Sequence, residues 1–161
     1  LIGLAFSPQL LFSIGFYFSC LGVYFIFLYI YHFGNRSDLS SLKRILMHTL
    51  ILEIFVFLAM NIPVYYFFPI ASWYQISVIP LSYVFIIFYP VSLFLHLFGI
   101  GGLFDDFMIR FIEFAPAQGK ANLELWQFIG YNIIALLAIY KKWIMLLLAL
   151  LGLFVYIFAL I

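Results

Sequence analysis

The thirteen charged residues of this 161-residue chain lie in short polar gaps, with one exception, and the gaps separate long apolar runs. The chain is 68% hydrophobic and only 8% charged, whereas an ordinary soluble domain is about 25% charged. So few charges cannot cover a water-facing surface of this size. A helix needs roughly 20 apolar residues to cross the hydrocarbon core of a bilayer. The spacing therefore predicts a helical protein in a lipid bilayer.

A transmembrane β-barrel is disfavoured by the pattern within the apolar runs. Barrel strands alternate polar and apolar residues over segments of ~10 positions, but residues 14–31 and 144–161 are apolar at odd and even positions alike. The predicted fold is therefore all-α, a polytopic integral membrane protein with a single transmembrane domain over residues 1–161. The net charge of only +1 argues against nucleic acid as a partner, because such binding depends on many basic contacts.

Five transmembrane helices and one interfacial amphipathic helix are expected from the order of runs and gaps. The interfacial helix covers about residues 103–114, which are too few and too charged to span, and whose charged and apolar side chains alternate. Its charged residues are Asp105, Asp106, Arg110 and Glu113. The spans cover about residues 9–33, 45–68, 76–98, 123–140 and 143–161, and a count of four to six is compatible with the sequence.

Prolines interrupt two of these spans. Pro63, close to Asn61, predicts a kink at the far end of the second span, because proline lacks an N–H and its ring clashes with the preceding turn. Pro80 and Pro90 predict a bent third span. Neighbouring groups are expected to satisfy the carbonyls that such prolines leave without a donor.

The distribution of Lys and Arg predicts an orientation. With five spans, the loops 34–44 and 99–122 share one side and carry five Lys/Arg residues, while Lys141 and Lys142 lie on the other side. The side richer in Lys and Arg is expected in the cytoplasm or an equivalent compartment. The N-terminus is then outside, in an inner, plasma or organellar membrane.

Glu53 is the one charged residue inside an apolar run, near the middle of residues 45–68. Charged side chains within the hydrocarbon core are costly, and by default they mark a functional site. Thr49, Glu53 and Asn61 form a polar stripe along one side of this helix. The stripe is expected to face other helices rather than lipid. Glu53 itself is expected to be neutral, paired, or placed on a water path.

The sequence is compatible with several roles for Glu53. The carboxyl could relay protons, bind an ion or a substrate, or act as an acid or base in an intramembrane enzyme. A structural reading is equally open, in which a protonated Glu53 donates one interhelical hydrogen bond. Such bonds contribute only about 0.6 kcal/mol on average in membranes, so they can serve simply to join helices.

Three histidines form a second group of candidates. His32 ends the first span, His48 begins the second and His96 ends the third, so the five-span arrangement brings all three near one membrane face. Two histidines on neighbouring helices can ligate a b-type haem, and three can hold a metal ion. His48 and His96 are the better haem pair, since each lies about one turn inside. The alternative is that these side chains only anchor the helices at the interface.

The leading hypothesis is an integral membrane subunit of a larger multi-subunit complex, without independent catalytic activity. The polar gaps are too short for an extramembrane domain, and the stripe through Glu53 needs a buried neighbour. An energy-transducing or redox assembly, such as one in electron or proton transport in a respiratory chain, is the expected setting. Bound lipids are expected; no cofactor is firmly indicated.

Three alternatives stay open. The first is a small haem b- or quinone-binding membrane anchor that uses His48 and His96. The second is a small transporter or channel with Glu53 in the pathway. The third is an intramembrane enzyme that modifies lipids.

Overall fold

The structure, a computed structural model, describes residues 13–34, 42–97, 99, 110 and 119–161. These residues form five α-helices and one 3₁₀ helix, and no strand lies among them. The 3₁₀ helix is Trp73–Ser77. The α-helices are α1 (Ile14–Phe33), α2 (Leu42–Phe67), α3 (Val78–Leu97), α4 (Leu125–Leu137) and α5 (Lys142–Leu160).

The all-helical membrane class is confirmed. Three helices are long and apolar enough to cross a membrane, over Ile14–Phe33, Lys43–Phe67 and Lys142–Leu160. Helix α4 has 13 residues, or about 20 Å, which is shorter than the ~30 Å hydrocarbon core. The count of five spans therefore stays a prediction. The predicted interfacial helix over 103–114 lies outside the described residues, apart from Arg110.

Local hydrogen bonds set the ends of α1. Ser13 is the N-cap, and its side chain accepts from the backbone N–H of Phe16 at 3.1 Å. At the other end the N–H of Gly34 donates to the carbonyl of Ile30 at 2.7 Å. A Ser N-cap and a glycine just past the last turn are the residues that most often satisfy helix ends. The predicted first span and α1 therefore both end at Phe33.

Helix α2 is the centre of the bundle, and its closest approach is to α5. A Cβ built on Gly152 of α5 would overlap the carbonyl oxygen of Leu58 in α2. Glycine lets the two backbones come this close, as small residues commonly do between membrane helices. Phe25, Leu28 and Leu148 are fully buried around this contact, so α1, α2 and α5 share one apolar core.

Tyrosine hydroxyls tie the other elements to this core. Each donates to a backbone carbonyl of a different element: Tyr24 to Ala135 at 2.7 Å, Tyr131 to Ala59 at 2.5 Å, and Tyr156 to Ser72 at 3.0 Å. A tyrosine ring buries apolar area while its hydroxyl reaches a polar partner. These bonds fix the rotation of α1, α4 and α5, which apolar packing alone would leave less specific.

The bundle has two ends that differ in charge. At one end, which we call the basic end, the side chain of His32 bonds to the carbonyl of Ala138 at 2.9 Å, and the Lys142 ammonium lies 4.0 Å from the centre of the Phe33 ring. At the other end, which we call the loop end, Gly119 pairs with Ala71 through two backbone hydrogen bonds. Lys43 and Arg44 begin α2 and so lie at the basic end.

The predicted distribution of loops is therefore wrong in two places. Residues 119–122 lie at the loop end and not beside 34–44, while Lys141 and Lys142 lie at the basic end, where the first helix finishes. With five spans, the whole of 99–122 is predicted to stay on one side. The hydrogen bonds between Ala71 and Gly119 instead start α4 from the loop end, which reverses α4 and α5.

Candidate functional site

A cavity of about 540 Å³ separates α2 from the first half of α3. Its wall is mostly apolar, with a few polar side chains, which is the usual make-up of a ligand or active site in a protein. The polar members of the wall are Thr49, Glu53, Asn61, Gln75 and Ser82. The apolar members are Ile26, Leu52, Val56, Phe57, Met60, Val64, Val78 and Ile79.

Glu53 is the chemically distinctive residue of this wall. Its Oε2 atom is buried and has no hydrogen-bond partner. Among the described residues, no other buried side-chain nitrogen or oxygen lacks a partner. The carboxyl group interacts with the side chain of Tyr83 on α3. Buried polar atoms nearly always have partners, and an exception calls for an explanation.

The other polar side chains of the cavity are already engaged by the protein. Asn61 is 5% exposed and donates to the carbonyl of Gly152 at 3.4 Å. The remaining donors go to backbone carbonyls: Thr49 Oγ1 to Ile45 at 2.9 Å, Ser82 Oγ to Ile79 at 2.7 Å, and Gln75 Nε2 to Ile70 at 3.0 Å. These groups bond to backbone carbonyls and none of them bonds to Oε2 of Glu53, which is buried without a partner.

The loop end of the cavity is held by a short hydrogen-bond chain. Tyr65 of α2 donates to Oε1 of Gln75 at 2.6 Å, and Gln75 in turn donates to Ile70. Tyr156 of α5 supports the same turn through the carbonyl of Ser72. The turn that leads into α3 is therefore fixed to two other helices, which sets the distance between α3 and Glu53.

The structure places the whole predicted stripe, Thr49, Glu53 and Asn61, on the wall of one cavity. Sequence reasoning missed Gln75, Ser82 and Tyr83. The one signal for Ser82 and Tyr83 is that they are polar residues within an apolar span between two prolines. No local pattern pairs them with Glu53, because that meeting depends on how α3 is rotated against α2.

The three candidate histidines have separate partners. His32 bonds to Ala138, as described above, while the Nδ1 atom of His48 lies 3.4 Å from the hydroxyl of Tyr29. The Nδ1 atom of His96 bonds to the carbonyl of Ser92, one turn earlier in its own helix, at 2.8 Å. In the described part of the chain no three His, Cys, Asp or Glu side chains are grouped so that they could hold a metal ion. Haem ligation by His48 and His96 stays a prediction.

Most charged residues of the predicted interfacial helix fall outside the part of the chain that the structure describes. Asp105, Asp106 and Glu113 lie outside the described residues, and Arg110 is described without its chain neighbours. The carboxyl that the structure does place within the apolar part of the bundle is Glu53. The chemistry of the described residues is therefore concentrated at the α2–α3 cavity.

Comparison with protein-family models, with curated proteins and with solved structures finds no match to this chain. The distinctive group of the cavity is one carboxyl whose Oε2 is buried without a partner, with Tyr83 beside it, in a wall that is mostly apolar.

Proposed function

We propose that the protein is an integral membrane subunit of a larger membrane complex, and that Glu53 is its proton-binding group. In this proposal the carboxyl takes up a proton from one side of the site and releases it later, as a subunit of an energy-transducing assembly would require. The chain supplies the site and its partners supply the driving reaction.

The observation that carries the proposal is the unpartnered Oε2 of Glu53. A purely structural glutamate would be expected to engage both oxygens, because an unsatisfied buried polar atom costs about 1–3 kcal/mol. Here the carboxyl group interacts with Tyr83, and Oε2 is enclosed by the protein without a hydrogen-bond partner. A carboxyl oxygen without a partner can bind a proton without losing another hydrogen bond.

The position of α3 supports a partner outside this chain. In the described residues α3 packs mainly against α2 and the 3₁₀ helix, whereas α2 also packs against α1, α4 and α5. Association of helices in lipid depends on packing and interhelical hydrogen bonds rather than on burial from water. A helix that the described residues hold mainly along one side, over a cavity, is suited to further packing within a complex.

The proton-binding role is tested with dicyclohexylcarbodiimide, an apolar reagent that reacts with protonated carboxyl groups to give a stable acylurea. Native membranes are treated over a range of pH, and the modified residue is located by mass spectrometry of peptides. We expect an adduct on Glu53 that forms faster at lower pH and is absent in Glu53→Gln. Failure of Glu53 to react at every pH at which the protein stays folded would overturn this role.

The subunit role is tested separately by native mass spectrometry of the protein gently extracted from its own membrane. We expect co-purifying subunits, and we expect Glu53→Gln to assemble with them while their proton-coupled activity is lost. A lone monomer or a homo-oligomer without other subunits would contradict the subunit role, whatever the carbodiimide result.

A self-contained transporter or channel is the second candidate, and the size of the cavity favours it. About 540 Å³ is within the 300–1,000 Å³ range of ordinary small-molecule sites. This candidate predicts that the purified protein alone, in liposomes, moves protons or cations across the membrane and that Glu53→Gln abolishes the movement. The subunit proposal predicts no such movement without the partners.

A further inference from the structure

A second pocket, of about 210 Å³, lies at the loop end between residues 120–123 and the last turns of α5. Its wall has a polar part and an apolar part. The polar side chains are Lys120, Asn122 and Gln127, and the aromatic ones are Phe154 and Phe158. This pocket shares no residue with the cavity at Glu53. We call it the loop-end pocket.

Backbone contacts fix the segment that carries Lys120. Gly119 exchanges two backbone hydrogen bonds with Ala71, at 2.9 and 3.0 Å. A Cβ built on Gly119 would overlap the carbonyl oxygen of Ala159 in α5, so glycine is what allows the segment to approach the helix this closely. Ala121, on the other side of Lys120, is buried. Lys120 is therefore held beside the last turns of α5.

The surrounding side chains indicate the depth of the loop-end pocket in the membrane. Trp73 and Trp126 are exposed at the same end of the bundle, and tryptophan is enriched at the level of the lipid headgroups. Phe154 and Phe158 are exposed on α5, which is apolar and long enough to cross a membrane. Their rings are stacked, with centroids 6.3 Å apart. The polar part of the pocket is therefore expected among headgroups and the aromatic part among acyl chains.

The charge on the wall is positive. Lys120 is exposed, and it is the one charged side chain on this wall as far as the described residues show. The neighbouring acidic residue, Glu124, is not on the wall, and its carboxylate accepts from the indole N–H of Trp126. A lysine ammonium binds phosphate as a point charge, and the amide of Asn122 carries further N–H donors. The wall is therefore complementary to an anionic group joined to an apolar chain.

We propose that the loop-end pocket binds one anionic phospholipid, with its phosphate at Lys120 and Asn122 and an acyl chain along Phe154 and Phe158. Basic pockets beside membrane helices bind anionic headgroups in this way. A headgroup that carries its own ammonium is disfavoured, because Lys120 repels it. The pocket is smaller than the roughly 300–1,000 Å³ of ordinary small-molecule sites, so it takes the phosphate and the first part of a chain, and the rest of the lipid stays in the bilayer.

The test is native mass spectrometry of the full chain in detergent micelles, titrated with phosphatidylglycerol or with phosphatidylcholine of the same acyl chains. Both lipids carry a phosphate, but phosphatidylcholine adds a quaternary ammonium. We expect the first phosphatidylglycerol to bind more tightly than the first phosphatidylcholine. Lys120→Ala should weaken that phosphatidylglycerol about fivefold, which corresponds to about 1 kcal/mol. Lys120→Arg keeps the charge and should keep the affinity.

Lys141→Ala is the matched control, since it removes an exposed lysine from the basic end and should leave the affinity of the first phosphatidylglycerol unchanged. A lysine near the last carbonyls of a helix also favours that helix. The free energy of unfolding of each variant is therefore measured without added lipid, and a structural role for Lys120 alone would lower it without changing the preference between the two lipids.

Photolabelling locates the bound lipid. Phosphatidylglycerol with a diazirine in its acyl chain is activated in the same samples, and the modified peptides are identified by mass spectrometry. We expect adducts within residues 154–158 that decrease in Lys120→Ala. Adducts within residues 143–147, at the other end of α5, should be the same in both proteins, because they come from lipids that do not contact Lys120.

Three results would overturn the lipid site. Equal affinity of the two lipids, or equal affinity of phosphatidylglycerol for the unchanged protein and Lys120→Ala, would mean that only ordinary surrounding lipids are bound. Adducts within 154–158 that are absent, or that do not depend on Lys120, would mean that the pocket holds no such lipid. None of these results bears on Glu53, whose role is tested by carbodiimide labelling.

Discussion

The hydroxyl of Tyr131 donates to the backbone carbonyl of Ala59 at 2.5 Å, and both residues are buried. Ala59 lies four residues before Pro63, within the continuous helix α2. In an α-helix that carbonyl would accept from the N–H of residue 63, which proline lacks. The tyrosine of α4 therefore supplies the donor that the proline removes, which is how prolines are accommodated in membrane helices.

Tyr131→Phe should lower the free energy of unfolding by about 1 kcal/mol, because it leaves the buried carbonyl of Ala59 without a hydrogen-bond donor. The same substitution should cost much less in a Pro63→Ala background, where residue 63 regains an N–H for Ala59. The measurement is a double-mutant cycle, with unfolding followed by circular dichroism in mixed micelles. Additive effects of the two substitutions would show that the hydroxyl does not replace the missing donor.

Gly152→Ala should destabilise the protein by about 1–3 kcal/mol, as overpacking usually does. The added methyl group would overlap the carbonyl oxygen of Leu58, which is backbone and cannot turn aside. Gly130→Ala in α4 is the matched control, since a Cβ there meets nothing within 4 Å. That control should be neutral or stabilising by up to about 1 kcal/mol. Equal unfolding free energies for the two variants would contradict the close contact between α2 and α5.

Glu53→Leu combined with Tyr83→Phe should keep or raise the free energy of unfolding. The pair removes an unsatisfied buried oxygen without stranding the tyrosine hydroxyl, and replacing buried polar pairs by apolar side chains is often neutral or stabilising. Asn61→Leu is the comparison, because it removes a donor to Gly152 and should lower stability. A marked loss of stability in the Glu53→Leu pair would assign Glu53 a structural role instead of a proton-binding one.

The two ends of the bundle should label from opposite sides of the membrane. In a Cys20→Ser background, cysteines replacing Lys43 and Lys141 should react with an impermeant thiol reagent from one side, and a cysteine replacing Lys120 from the other. Since Lys43, Arg44, Lys141 and Lys142 share the basic end, the positive-inside rule predicts that this end faces the cytoplasm or its equivalent. Labelling of Lys43→Cys and Lys141→Cys from different sides would contradict the arrangement of α4 and α5.

The sequence indicates the helices better than their arrangement. Residues 14–33 and 142–160 form single helices because long apolar runs with few charges leave backbone groups no partners in lipid except within a helix. Pro63 was expected to bring neighbouring groups to a freed carbonyl, but nothing local shows that Tyr131, far along the chain, is the donor. The predicted direction of α4 was wrong for the same reason. The pairing of Ala71 with Gly119, which sets that direction, is a contact between distant segments.

The sequence by itself determined that the protein is helical and lives in a membrane, and that Glu53 lies deep within an apolar helix. Charge, apolar length and proline act locally, so they can be read in chain order. Only the tertiary structure decided that Glu53 lies beside Tyr83 and that Ser82 and Gln75 line the same cavity. It also decided that the Lys142 ammonium lies over the Phe33 ring. These relationships depend on the rotation and direction of whole helices. Rotation and direction are set by packing between residues far apart in the chain, such as Gly152 against Leu58.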